Sequence, residues 1–172
     1  MFDVRRIKEA NVNIGSYMQD GLLKKFQFDK NIFKILLANA KESLLEAENV
    51  KSPLWRVVIS YYAMYYYANA VLLKLGYKVG NRISHKVTSD ALIVFVRNKL
   101  SKEYFDMYES SKEQALATMK SDEIISSFDL ERKKRSKFQY STSEKFKVTM
   151  AETSLNRAKK FSLAMMDMIV AL

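Results

Sequence analysis

From Asp29 onward the apolar residues of this chain return every three or four positions, the spacing of a helix with one buried face. Phe33, Leu36, Leu37, Ala40, Leu44 and Ala47 fall on that face, while Lys34, Lys41, Glu42 and Glu46 fall on the other. Asp29 is suited to cap this helix, which is predicted to end near Val50. After a turn of a few residues, Ser52 can cap a second helix and Pro53 fits its first turn, where no hydrogen bond is lost. That helix is predicted to run to a left-handed cap near Gly76. From Leu54 to Leu75 it spans about 33 Å at ~1.5 Å per residue. So short a connection makes the two helices antiparallel neighbours.

The second helix is nearly all apolar and carries Tyr61, Tyr62, Tyr65, Tyr66 and Tyr67. A stripe of Arg56, Ser60, Ala63, Tyr67, Ala70 and Lys74 runs along it within a narrow sector at 100° per residue. An interior Arg and Lys would be costly in hydrocarbon, so the stripe argues for the core of a helical bundle and against a membrane span. Asn69 lies off the stripe and needs a partner inside the protein.

Tyr77 to Ser84 reads as a turn, and Ser84 is expected to cap a third helix with Val87, Ala91, Leu92, Phe95 and Val96 inward. This puts His85, the only histidine, in a first turn. A fourth helix is predicted from Ser101 through Tyr104, Phe105, Tyr108, Leu116 and Met119, continuing or kinking past Ile124, Ile125 and Phe128. Ser143 is expected to cap a last one, with Ala151, Leu155, Ala158, Met165, Ile169 and Leu172 inward. Glu152, Asn156, Lys159 and Asp167 then face outward. Residues 1–28 read as a partly helical N-terminal extension whose Tyr17, Leu22, Leu23, Phe26 and Phe28 can pack across a bundle spanning residues 29–172. The predicted class is all-α, an up-and-down bundle of about five helices.

Composition supports this. Four glycines and one proline in 172 residues leave little material for tight turns. The length suits one domain that buries a core without disulfides. With no cysteine there is no thiolate metal site and no cysteine nucleophile, and a single histidine excludes the usual zinc sets. No metal or cofactor is expected. GxxxxGK[ST] and GxGxxG loops are missing, as is the helix-borne Glu-x-x-His pair of di-iron bundles. The opening MFDVRRIKEANVNIG lacks the apolar stretch of a secretory signal, and the expected location is the cytoplasm.

A formal net charge of +10 favours polyanionic partners, RNA or a nucleotide among them. Cations concentrate in Arg132, Lys133, Lys134, Arg135 and Lys137, followed by Phe138 and Tyr140. Cations beside aromatics suit a surface that holds phosphates and stacks bases, and a solvated helix end has the same pattern. Imidazole exchanges a proton near neutral pH, so His85 is a candidate for acid–base work on a phosphodiester. It is equally a candidate for a helix-end histidine bonded to a nearby carbonyl or hydroxyl. The helix dipole would favour its neutral form. Most of the tyrosines read as core or interface residues.

The order ISYYAMYYYANAVLLKLG, then SHK opening a helix, then ERKKRSKFQY, then a final helix with NRAKKF resembles the HEPN domain (higher eukaryotes and prokaryotes nucleotide-binding) over roughly residues 30–170. The resemblance implies a helical bundle that often forms homodimers and works beside nucleotidyltransferases, in toxin–antitoxin pairs or in RNA-targeting defence. It also implies that active members are metal-independent ribonucleases. In those, an Arg and a His four to six residues after it, from both protomers, assist attack of a ribose 2'-hydroxyl on the adjacent phosphate. Here Arg82-Ile-Ser-His85 is shorter than that spacing. Arg135 precedes Tyr140 at a fitting distance but with no histidine, and Gln139-Tyr140 stands where many members have Asp-Tyr. The expected site joins Arg82, His85 and Arg135 as a cationic and catalytic pocket, with Arg132, Lys133, Lys134, Arg135, Lys137 and Tyr140 binding RNA or a nucleotide. A protein-interaction module docking a partner on the tyrosine-rich helix is the third reading.

Overall fold

A computed structural model of the chain describes residues 3–119 and 141–172, with the side chains of 141–145 left aside. Among the described residues there are six helices: α1 (Val4–Gln19), α2 (Lys30–Asn49), α3 (Pro53–Lys74), α4 (Ser84–Phe95), α5 (Lys102–Met119) and α6 (Ser141–Ala171). Two three-residue strands, β1 (Leu23–Lys25) and β2 (Tyr77–Val79), form the antiparallel ribbon of this all-α fold, pairing Leu23 with Val79 and Lys25 with Tyr77. No helix of the described residues is long and apolar enough to cross a membrane.

The caps expected for α2 and α3 are present. The Asp29 side chain accepts hydrogen bonds from the backbone N–H of Asn31 and Ile32, and Ser52 accepts one from Trp55. Gly76 ends α3 in the left-handed region, at φ 86°. Around α3 the long helices alternate in direction. Arg56, at the start of α3, donates to the carbonyls of Ala47 and Val50 at the end of α2, at 3.0 and 2.8 Å. Lys74, at the other end, donates to the Ile169 carbonyl at the end of α6. Each cation thus satisfies carbonyls that a helix C-terminus leaves without a partner.

The stripe between these two cations is buried, not solvated. Ser60, Ala63 and Ala70 are fully buried and Tyr67 nearly so, because small side chains let α2 and α6 close on α3. The remaining buried face of α3 supplies Val57, Tyr61, Met64, Val71 and Leu72 to the core. Asn69 finds its partners, donating to the Tyr65 carbonyl at 2.8 Å and to Thr88 Oγ at 3.2 Å.

The partly helical lead-in is α1, capped by Asp3 and packed on α4 through Ala10, Ile14 and Tyr17, and Leu23 of β1 is fully buried in the same core. Three local expectations change. Ser84 is the first residue of α4 and not its cap; Ile83 stands at the cap position in the left-handed region, φ 43°, with no side-chain bond to the helix. A β-branched residue there is strained. Ser143 lies inside α6 rather than at its start, and Leu172 at the far end is exposed. The continuation of α5 past Ile124, Ile125 and Phe128 lies outside the described residues.

Α1 is held by a buried carboxylate. Asp90 of α4 is wholly buried and accepts from Asn13 Nδ2 and Tyr17 Oη, both at 2.9 Å, while Arg6 Nη2 stands 2.6 Å from its other oxygen. Burial pushes the Tyr17 phenol up and the bond to Asp90 pushes it further, so it remains a donor.

Candidate functional site

His85 sits in the first turn of α4, half-buried, in a cup of aromatic rings from α3. The imidazole lies 4.8 Å from the Tyr65 ring, 5.4 Å from Tyr61 and 5.6 Å from Tyr62, centroid to centroid. These three tyrosines recur at helical spacing, so one face of α3 forms the cup.

Nδ1 of His85 is 2.8 Å from the Tyr61 hydroxyl, which lies 3.4 Å from the hydroxyl of Tyr108 on α5. Burial pushes both phenols well above their usual range, so both keep their protons. A neutral phenol both donates and accepts, so the two hydroxyls and Nδ1 form one hydrogen-bonded chain whose direction follows the tautomer of the imidazole. Beneath Tyr108, the buried Phe161 of α6 packs at 5.4 Å. The hydroxyl that orients the imidazole therefore rests on the bundle core.

Burial lowers the pKa of His85 and the Lys112 ammonium lowers it further, favouring the neutral ring. Lys112 is itself paired with Glu109 at 2.6 Å and donates to Ser89 Oγ at 3.2 Å; Glu109 also accepts from Ser89. Arg6 reaches the same Ser89 hydroxyl at 3.4 Å, so a chain of polar contacts runs from α1 through α4 to α5 near the cup. The sequence reading missed Lys112 and Tyr108, since both come from an element distant along the chain.

The sequence candidates separate. Arg82 is exposed in the turn before α4, and the cation that acts on His85 is Lys112, not Arg82. Lys86, beside His85, is also exposed. Arg132, Lys133, Lys134, Arg135, Lys137 and Tyr140 lie outside the described residues. A depression of about 540 Å³ at the end of α6, lined by Leu100, Tyr104, Met168 and Leu172, does not include His85. No three His, Asp or Glu side chains among the described residues are grouped to hold a metal ion.

A histidine with a lowered pKa gives a signed pH dependence. The unfolded chain, with an imidazole pKa of about 6.5, binds a proton before the native protein does, so stability is complete above that pH. It falls as pH drops from about 6.5 toward the native pKa and is flat with respect to this group below it. Because the chain has one histidine, its imidazole proton resonance titrates alone. We expect a midpoint below 6.5 that rises in Lys112→Met, which removes the cation and leaves Glu109 unopposed. An unchanged midpoint would show that Lys112 does not act on His85.

Comparison with protein-family models, curated proteins and solved structures finds no match to this chain.

Proposed function

We propose that this chain is a HEPN-like helical protein that binds RNA or a nucleotide at the surface around His85. The observation that carries the reading is the His85 cup: a neutral, oriented imidazole ringed by three tyrosines, with the exposed cations Arg82 and Lys86 on either side along the chain. The half-buried faces of Tyr62 and Tyr65 accept stacked bases and cations hold phosphates, and neither requires a metal ion. The formal charge of +10 supplies long-range attraction for a polyanion. The basic segment Arg132 to Lys137 belongs to the same proposal as a second phosphate-binding stretch.

The test is binding of a fluorescent single-stranded RNA over a range of salt. Affinity is expected to fall linearly on a log–log scale, with a slope set by the number of phosphates neutralised. It should weaken in Arg82→Ala and in the joint replacement of Arg132, Lys133, Lys134 and Arg135 by Ala. Salt-independent binding, or wild-type affinity in both variants, would remove the proposed surface.

One observation favours a second reading. A neutral imidazole whose Nδ1–H donates to the Tyr61 hydroxyl leaves the Nε2 lone pair free, the form of a general base oriented by a neighbour. In a metal-independent ribonuclease His85 would take the 2'-hydroxyl proton as that oxygen bonds to phosphorus, Arg82 or Arg135 would stabilise the phosphorane, and the P–O5' bond would break, water protonating the leaving 5'-oxygen and a 2',3'-cyclic phosphate remaining. Cleavage that persists in EDTA and disappears in His85→Ala supports this; equal cleavage in that variant rejects His85 as the base.

A further inference from the structure

Beside the His85 cup, α2, α3 and β2 enclose a cleft of about 190 Å³. Ile32 and Leu36 of α2 make one side, and Tyr65 and Tyr66 of α3 the other. Such a space suits one flat ring system and is too small for a docked helix. Tyr65 belongs to both features: it lines the cleft, and its ring is 4.8 Å from the His85 ring. A ring held there is separated from the imidazole by a single side chain.

The charges around the cleft give it a direction. On the far side of Tyr66 a shallower depression is lined by Glu42 and Glu46, which repel an anion. On the β2 side Lys78 stands exposed at the cleft, its ammonium 4.7 Å from the centroid of the Phe26 ring, and the turn after β2 continues to the exposed Arg82. At the back of the cleft Asn69 is buried and its amide is held by Tyr65 and Thr88, which keeps this wall in place.

We propose that this cleft takes the base of a nucleotide unit between Tyr66 and Ile32, with its phosphate leaving on the Lys78 and Arg82 side toward His85. The inference rests on the nucleotide-binding reading above and adds the pocket and the orientation. The unit is either a free mononucleotide or one residue of a strand, and these share the same base and phosphate chemistry.

The experiment measures binding of AMP, UMP and a short single-stranded RNA to the full chain and to two variants: Ile32→Trp, which fills the cleft, and Tyr66→Ala, which removes one wall. The His85 resonance serves as a check that the cup is intact. With that resonance unchanged, oligomer affinity should fall about tenfold or more in each variant, the size expected for the loss of one stacked base. Saturable AMP or UMP binding that is lost in the same variants identifies a free nucleotide as sufficient; oligomer binding alone identifies a strand. If Ile32→Trp does not fold, Tyr66→Ala decides. Wild-type oligomer affinity in the folded variants overturns the cleft while leaving the His85 surface standing. Failure of the wild-type chain to bind any of the three probes overturns both.

Discussion

Asp90→Ala should destabilise the protein by about 2–4 kcal/mol, and α1 should be the first element to loosen. The carboxylate is fully buried, and three side chains of α1, Arg6, Asn13 and Tyr17, converge on it. Removing it leaves two neutral donors and one cation without their acceptor in a water-poor site. Arg6 retains 28% of its side-chain exposure and can recover some hydration, which keeps the cost below the upper end for a broken buried pair. Denaturant unfolding measures the loss, and amide exchange locates it, with protection lost first across Val4–Gln19. Asp90→Asn keeps an oxygen acceptor and should cost less. A change in Asp90→Ala below about 0.5 kcal/mol, the size of ordinary surface substitutions, would show that α1 is held by its apolar face alone.

Phe161→Ala should cost about 3–5 kcal/mol, the range for emptying a large aromatic from a packed core. Phe161 is fully buried and brings α6 against Tyr108 of α5. At this chain length the melting temperature should fall by about 6–20 °C. The effect should also reach the site. A cavity under Tyr108 admits motion and water to the hydroxyl that bonds Tyr61, so His85 is less well shielded and its titration midpoint should move up toward 6.5. Phe161→Leu fills part of the space and should show a smaller version of both changes. A stability loss with no movement of the His85 midpoint would separate the core from the relay.

The legible part of this fold is local. Asp29, Ser52, Pro53 and Gly76 are terminus signals acting within a turn of where they stand, and the helices they bound came out close to expectation. Α1 was harder to read because Val4 and Val12 interrupt its pattern as exposed apolar residues, and because its polar anchors bond to Asp90, on a helix far along the chain. The buried stripe on α3 illustrates the limit of periodicity. Spacing shows which residues share a face, but whether Ser60, Ala63 and Ala70 meet water or another backbone depends on the packing partners.

The site divides in the same way. A histidine at a helix start was visible, whereas its orientation by Tyr61 and Tyr108 and its depression by Lys112 required α3, α4 and α5 to be assembled. Reading Ser84 as a cap also failed for a tertiary reason: the turn from β2 delivers Ile83 in a left-handed conformation, displacing the helix start by one residue.

The β1–β2 ribbon joins Leu23–Lys25 to Tyr77–Val79, and everything between them is the α2–α3 hairpin. Closing a flexible loop of on the order of 50 residues costs about 3.5 kcal/mol, far more than two three-residue strands return. The ribbon is therefore stable only with α2 and α3 folded back on each other and holding its strands together. It is a clasp whose hold depends on the packing of that hairpin, so a substitution that loosens α2 from α3 should also loosen the turn carrying Arg82 and His85.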